Sequence, residues 1–254
     1  MPIERIKSLD IDNRELFTAI YGLNGSSEVY ITPDLRVHNM REALYLYLKR
    51  QGYSVVFYDD KAFSFEEAPL IEFFNLSPGS HDSIHVESAG NQRRYVVYQS
   101  ESIFKNIYSY ARRTPWRKMA VVFVSPLTLT FDDEQRKTIL NSWNDLNGDF
   151  RRNRISMRII ALYEFASPRL FSQAFESATD ELLLLPPFKE LVLDDIGRND
   201  NETGTIIEGR HDRCVFYLGA PGRDEIGHML NRRRLLSPEG LPHLFDKIGW
   251  DNVV

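Results

Sequence analysis

Carboxylates that directly follow a buried strand are a common way to hold a metal ion, and the stretch AVVFVSPLTLTFDDE contains such a strand at Ala120–Val124. Its residues are small, β-branched or aromatic, which predicts a central, fully buried position. Ser125 and Pro126 follow the strand, and neither can bind a metal ion as a carboxylate does. The acids that begin at Asp132 come later in the chain. They are interpreted as the electrostatically favoured start of the next helix.

Polar and basic residues between positions 32 and 41 form a second candidate site, suited to an anion. Asn39 and Glu42 have the spacing of a helix N-cap and its capping partner, which predicts a helix start at Met40. Free N–H groups and the helix dipole favour negative charge at such a start. The alternative interpretation, exposed loop residues, stays open. The candidate nucleotide-binding residues are Thr32, Arg36, His38, Asn39 and Arg41.

Histidine and cysteine offer little further chemistry. The six histidines are scattered, and together with Cys214 they show no spacing typical of a zinc site. The sequence contains no G-x-S-x-G elbow and no cysteine in a supporting histidine motif. We therefore predict no catalytic residue and no metal ligand.

The element that would position the anion site is the segment from Val29 to Tyr58. The pattern predicts a strand at Val29–Ile31, a helix at Met40–Arg50 that ends at Gly52, and a strand at Ser54–Tyr58. A strand, loop, helix and strand in this order predict a parallel pair.

The rest of the chain continues the alternation of helices and strands. Residues 62–94 are rich in Ser, Gly, Asn and Pro and predict an exposed excursion or hairpin. The polar stretch Asp194–Arg213 predicts a surface loop. Further elements are predicted at Ser102–Arg113 (helix), Ala120–Val124 (strand), Asp132–Leu146 (helix closed by Asn147-Gly148), Met157–Phe165 (strand), Glu181–Leu185 (strand) and from Cys214 onward (strand, turn and helix).

Composition sets the protein class. The 254 residues are 43% hydrophobic, which is enough for one large α/β domain or two small ones. The formal net charge of -5 argues against general nucleic-acid or membrane binding. No apolar run is long enough to span a bilayer, and the first residues lack a signal-peptide pattern, so a cytoplasmic location is expected.

The order of these elements resembles the AAA-type P-loop ATPase module. The stretch from Arg117 to Phe175 is similar to that family from its Walker B strand, through a helix, to the sensor 1 strand and the helix beyond. The later APGRDEIGHML is similar to the passage into the helical lid. The resemblance implies a P-loop NTPase-like parallel sheet flanked by helices with a small C-terminal helical element. The implied domains are residues 1–220, with an insertion around 62–94, and a lid-like tail, 221–254.

The catalytic positions of that family are not preserved. The P-loop position falls on Thr32–Met40, which has neither glycine nor lysine to enclose phosphates. Ser125 and Pro126 stand at the Walker B acids, and Glu164 stands at the sensor 1 asparagine. Each departure removes charge stabilisation that phosphoryl transfer requires. The resemblance thus implies the fold without magnesium-dependent hydrolysis.

The preferred hypothesis is a catalytically inactive AAA-like domain that serves as an assembly or regulatory module of a larger ATPase. ATP or ADP could still bind without hydrolysis, and protein partners or self-association are expected. Arg151, Arg152 and Arg154 lie where AAA rings present arginines to a neighbouring subunit, although a solvated turn is the simpler alternative.

Two other functions stay open. A TIR-like or other doubly wound domain that processes a nucleotide such as NAD would use the Val29–Tyr58 unit, with Glu66, Glu67 and Glu72 as possible catalytic acids. Nucleic-acid binding through paired arginines is disfavoured by the acidic net charge, and steep salt dependence would revive it.

Overall fold

A computed structural model describes residues 5–22, 29–31, 37–59, 62–66, 84–89, 92–98, 103–124, 133–165, 167–177 and 214–218, together with Arg223, Ile226 and Gly227. Two 3₁₀ turns, Ile6–Leu9 and Ile11–Asn13, open the described chain. The helices are α1 (Met40–Arg50), α2 (Ile103–Arg113), α3 (Asp133–Arg151) and α4 (Pro168–Ser177). The strands are β1 (Phe17–Tyr21), β2 (Val29–Ile31), β3 (Val37–Asn39), β4 (Ser54–Asp59), β5 (Ala62–Phe65), β6 (Ile84–Ala89), β7 (Gln92–Tyr98), β8 (Met119–Val124), β9 (Met157–Leu162) and β10 (Val215–Tyr217).

Eight of these strands form one mixed sheet in the order β10-β1-β9-β8-β4-β5-β7-β6. Neighbours from β10 to β4 are parallel, whereas β5, β7 and β6 extend the sheet with antiparallel pairs. Helices cover both faces, as mostly parallel sheets require. The predicted α/β class, a largely parallel sheet flanked by helices, is therefore confirmed.

Alternate residues of the central strands point to opposite faces. On one face, Val121 and Phe123 of β8 belong to a core that also contains Trp143 of α3. On the other face, Val122 of β8 packs in a second core with Leu44 of α1. Helices α2, α3 and α4 therefore lie on one side, and α1 lies on the other with the 3₁₀ turns. Every residue of β8 and β9 is buried, so these two strands form the centre of the molecule.

The helix ends follow from this arrangement. Because α1, α2 and α3 each lead into a parallel strand, their C-termini lie at the edge of the sheet where those strands begin. We call this the amino edge and the opposite one the carboxyl edge. Basic residues occupy the last turns: Lys49 and Arg50, Arg112 and Arg113, and Arg151. Cations are favoured there by the helix dipole.

The predicted start of α1 is confirmed in detail. The Asn39 side chain accepts a hydrogen bond from the Glu42 amide at 2.7 Å. Gly52 follows the helix with a φ of 83°, a left-handed conformation that glycine adopts without strain.

The predicted parallel pairing of Val29–Ile31 with Ser54–Tyr58 is wrong. Val29–Ile31 is β2, and it pairs antiparallel with β3 in a separate two-stranded sheet. The strand that precedes α1 in the main sheet is β1, which the pattern did not reveal. All five residues of β1 are buried, so they show no alternation, and their partners in β9 and β10 lie far along the chain.

Helix α3 does not end at Asn147-Gly148 as predicted, since it continues to Arg151. Trp143, Leu146 and Asp149 are buried at helical spacing, so the inner face of the helix extends beyond Gly148. Asn153 then adopts a φ of 54°, and the Arg154 amide donates to the Asp149 carbonyl at 2.8 Å. This is a Schellman-type end that uses asparagine where glycine is more usual.

Residues 62–94 were predicted to form an exposed excursion or hairpin. The hairpin is confirmed, since the consecutive strands β6 and β7 pair antiparallel from Ile84–Val97 to Ala89–Gln92. The described parts belong to the main sheet, so they are not an exposed excursion. Strand β5 pairs with β4, and β7 pairs with β5, with Phe63 and Val97 facing each other in the core. Residues 67–83 lie outside the described chain. So do Ser125 and Pro126, the predicted Glu181–Leu185 strand, the Asp194–Arg213 loop and most of the predicted lid.

Candidate functional site

The carboxyl edge contains a topological switch point between the neighbouring strands β1 and β9. The chain leaves β1 toward α1 on one face of the sheet, and it leaves β9 toward α4 on the other. In open α/β sheets, the two diverging connections leave a crevice between them, and ligands bind there. The switch point beside Gly22 and Tyr163 is therefore the first candidate site.

The base of the crevice is held by backbone hydrogen bonds. The Gly22 amide donates to the Phe165 carbonyl at 2.8 Å, and the Tyr163 amide donates to the Ile20 carbonyl at 2.8 Å. Gly22 has a φ of 98°, so a side chain at this turn would strain the backbone. The amide of Gly22 is thus committed to the protein and is not directed at a ligand.

Aromatic side chains pack next to these hydrogen bonds, on the face of the sheet that α4 covers. Phe171 of α4 stacks on Tyr21 with ring centroids 4.2 Å apart and also contacts Tyr163 and Phe165. Burial raises the pKa of Tyr163, so its phenol stays neutral at physiological pH. Among the described residues, the side chains packed behind the switch point are therefore aromatic and uncharged.

Glu164 lies at this edge, two residues after β9, and its side chain is exposed. That is the place at which the AAA resemblance puts the sensor 1 position. Val124 ends β8 at the same edge, directly before Ser125.

Of the five nucleotide-binding candidates, Asn39 and Arg41 line one pocket beside α1. Thr32 and Arg36 lie outside the described residues, and His38 belongs to β3, opposite Tyr30. Asn39 uses its side-chain oxygen to cap α1.

Arg41 is directed away from the switch point, toward the antiparallel extension of the sheet. Its guanidinium forms an ion pair with Asp59 at 2.9 Å, donates to the Ser64 hydroxyl at 2.6 Å and lies 4.6 Å from the centre of the Phe57 ring. Burial lowers the pKa of Arg41, as does the nearby charge of Arg94, while Asp59 opposes both effects. Arginine nevertheless stays protonated, because its ordinary pKa lies far above neutrality.

Arg41 and Arg94 meet at a pocket of about 280 Å³ beside α1. Arg94 also donates to the Ser64 hydroxyl, at 3.1 Å, so two guanidinium groups share one oxygen. Glu42 and Glu66 line the same pocket, so its described wall carries two negative and two positive side chains.

Arg151 is the last residue of α3 and Arg152 and Arg154 follow it, at the amino edge opposite the switch point, and all three are exposed. Arg154 lies 3.6 Å from the buried carboxylate of Asp149, which Arg112 also approaches at 3.3 Å. The three arginines are therefore accessible to a partner, and one of them is partly anchored.

Sequence reasoning missed two buried arginines, Arg14 and Arg158. Arg158 interrupts the apolar strand MRIIAL, and an arginine within a buried strand was the available signal. Both side chains lie at the amino edge, where they donate to backbone carbonyls.

Within the described residues, no group of histidine, cysteine or acidic side chains has an arrangement that could hold a metal ion. In the same part of the chain, no helix is both long and apolar enough to cross a membrane. Comparisons with protein-family models and with curated proteins find no match, so any functional assignment rests on the geometry of this chain.

Proposed function

We propose that this chain is a catalytically inactive AAA-like module that serves in the assembly or regulation of a larger ATPase. The observation that carries the proposal is the order of the five parallel strands, β10-β1-β9-β8-β4. In chain order these are the fifth, first, fourth, third and second parallel strands.

The AAA resemblance implies that these strands have the same neighbours in the sheet. The strand before the P-loop should lie beside the sensor 1 strand, and the sensor 1 strand should lie beside the Walker B strand. Here β1 precedes α1 and pairs with β9, and β9 pairs with β8. The segments matched to sensor 1 and Walker B were Met157–Phe165 and Ala120–Val124, so their adjacency supports the proposal. The order also differs from the 2-1-3-4-5 arrangement of flavodoxin-like sheets.

Under this proposal, the P-loop position lies in the segment that follows β1, and that segment has also lost a catalytic residue. The segment from Gly22 to Met40 follows β1 and contains no lysine. A P-loop needs this side chain to reach the β and γ phosphates. Ser125 and Pro126 in place of the Walker B acids remove the metal-binding carboxylates as well.

The first experiment measures phosphate release from ATP with magnesium. We expect no release above that of buffer, while calorimetry tests whether ATP or ADP binds without turnover. Hydrolysis that disappears in a Gly22→Val or Asn39→Ala variant would show an active enzyme and overturn the proposal.

The second experiment tests assembly by light scattering at several protein concentrations, with and without ATP. We expect a concentration-dependent assembly that the combined variant Arg151→Glu, Arg152→Glu and Arg154→Glu weakens. Arg50→Glu is the matched control, since Arg50 is exposed at the same edge but on the opposite face of the sheet. A protein that stays monomeric throughout and binds no nucleotide would contradict the assembly role.

The NAD-processing alternative depends on a parallel unit that includes Val29–Ile31, and that strand is part of an antiparallel pair instead. Of its three candidate acids, Glu66 is exposed beside Arg94, and the others lie outside the described chain. Nicotinamide release from NAD that is lost in Glu66→Gln would favour this alternative over the AAA-like module.

A further inference from the structure

A tryptophan is strongly exposed at the amino edge. Trp116 lies in the short turn between α2 and β8, and 78% of its surface is exposed. Two backbone hydrogen bonds close this turn. The Thr114 amide donates to the Tyr110 carbonyl, and the Arg117 amide donates to the Thr114 carbonyl, both at 3.0 Å. The exposed indole is therefore carried by a hydrogen-bonded turn, and an amphipathic ring of this kind is common at contact surfaces.

Exposed arginines lie at the same edge, at the ends of the neighbouring helices α2 and α3: Arg112, Arg113, Arg151, Arg152 and Arg154. Asp149 of α3 joins the two helix ends. Its buried carboxylate lies 3.3 Å from Nε of Arg112 and 3.6 Å from an Nη of Arg154. More than half of each of these two arginine side chains is nevertheless exposed, so both stay accessible to a partner.

The sheet holds the turn and the end of α3 side by side. Strands β8 and β9 are parallel neighbours, and the Met119 amide at the start of β8 donates to the Ser156 carbonyl just before β9, at 3.2 Å. Trp116 precedes Met119 by three residues, and Arg154 precedes Ser156 by two. The indole and the five arginines therefore share one corner of the molecule, which we call the tryptophan–arginine corner.

The sequence around this corner is basic although the whole chain is acidic. The segments Ala111–Val124 and Phe150–Tyr163 contain four basic residues each and no acid. The formal net charge of -5 therefore comes from other parts of the chain. The helix dipole accounts for basic residues in the last turns of the helices but not for the exposed tryptophan beside them. A planar guanidinium suits paired hydrogen bonds to phosphate oxygens.

We propose that the tryptophan–arginine corner binds single-stranded nucleic acid, with the arginines on phosphates and Trp116 stacked on an unpaired base. A duplex fits less well, because its bases are already stacked on one another. A membrane also fits less well, since an interfacial anchor needs a larger apolar face than one indole. The other large hydrophobic side chains that are exposed among the described residues belong to other segments: Leu46, Val86, Leu170 and Ile226. This inference does not depend on the proposed AAA-like role.

The test measures the binding of a fluorescein-labelled thymidine oligonucleotide of about twelve nucleotides by anisotropy at several salt concentrations. We expect saturable binding whose log K falls with log salt concentration at a slope of about −2 to −3, as about three or four phosphate contacts imply. The unlabelled oligonucleotide should quench tryptophan fluorescence, and this quenching should disappear in Trp116→Phe. A lack of saturable binding at about 50 mM salt would overturn the proposal.

Two sets of variants separate base stacking from phosphate contact. Trp116→Ala should weaken binding at least about fivefold without changing the salt slope, whereas Trp116→Tyr should retain most of the affinity. The combined variant Arg151→Gln and Arg152→Gln should make the slope shallower by about 1.4. Arg50→Gln is the matched control, since Arg50 is exposed at the same edge on the opposite face of the sheet and should leave the slope unchanged. Equal affinity and slope in all variants would exclude this corner.

Competitors define the class of ligand. A DNA duplex, vesicles that contain phosphatidylserine, and polyglutamate should each displace the labelled strand less effectively than the unlabelled oligonucleotide does. Equal displacement by polyglutamate would make the corner a surface for acidic protein segments, and stronger displacement by vesicles would make it a membrane contact. Either outcome would overturn the nucleic-acid proposal.

Discussion

At the carboxyl edge of the parallel sheet, the described side chains beside the switch point are mainly aromatic, whereas the amino edge holds two buried arginines and a half-exposed lysine. Phe171 packs against Tyr21 and Tyr163 at the first edge. Arg14 and Arg158 donate to carbonyls at the second. The usual ligand edge of an α/β sheet is thus apolar at its base, and the buried arginines are at the other edge.

The difference has a physical origin. Helices that return the chain to the start of a parallel strand bring their C-terminal ends to the amino edge. The C-terminal end of a helix carries a partial negative charge, which favours basic residues there. The 3₁₀ turns at residues 6–13 also pack against this edge, and their carbonyls need donors. Buried guanidinium groups meet that need. The buried arginines at this edge are therefore a consequence of how the N-terminal turns are attached.

The largest expected effect tests the apolar edge. Phe171→Ala removes a fully buried ring and should lower the free energy of unfolding by about 3–5 kcal/mol. Leu170→Ala, at a neighbouring residue that is 53% exposed, should change it by less than about 0.5 kcal/mol. Urea unfolding measures both changes in free energy, provided that the m-value is the same in the variants and the wild type. Equal losses would mean that the aromatic cluster does not hold this edge together.

The corresponding test of the charged edge is Arg158→Met. This change leaves the Ile11 and Asp12 carbonyls without their donors and should cost about 2 kcal/mol of unfolding free energy. The same urea experiment measures it. If stability is unchanged, Arg158 is not what attaches the N-terminal turns.

A smaller effect is expected at the start of α1. Asn39→Ala removes the side-chain acceptor for the Glu42 amide and should cost about 1 kcal/mol, whereas Asn39→Asp should retain most of the stability. Circular dichroism during thermal unfolding measures the loss. Similar losses in both variants would show that the side-chain hydrogen bond to the Glu42 amide does not stabilise the helix.

The smallest effect is the pH dependence contributed by Asp12. Partial burial pushes the pKa of Asp12 upward, but the hydrogen bonds from Lys118 and Tyr53 and the nearby positive charges outweigh burial. The pKa is therefore lower in the folded state than in the unfolded chain, so the stabilisation is present above the unfolded value of about 3.9 and is lost as pH falls through the lower folded value. Because the side chain is 42% exposed, water screens the ion pair and the contribution is small. Asp12→Asn should therefore reduce the pH dependence of the urea midpoint below about pH 4. An unchanged acid profile would exclude a stabilising Asp12–Lys118 pair.

The sequence by itself determined the elements whose signals are local. Helix α1 with its Asn39 cap, the turn at Gly52, and strands β4, β8 and β9 follow from apolar spacing and capping chemistry within a few residues. The absence of lysine between Gly22 and Met40, and of acids at Ser125 and Pro126, is likewise a property of the sequence alone. Such features need no knowledge of what packs against them.

Only the tertiary structure decided which segments are neighbours. It placed β1 between β9 and β10, turned Val29–Ile31 into an antiparallel hairpin, and carried α3 past Gly148 because Asp149 lies on its buried face. It also brought Arg158 to the carbonyls of the N-terminal turns, a contact between residues far apart in the chain. Strand pairing and the charge balance of a pocket depend on residues that are far apart in the chain, so a local sequence pattern cannot predict them.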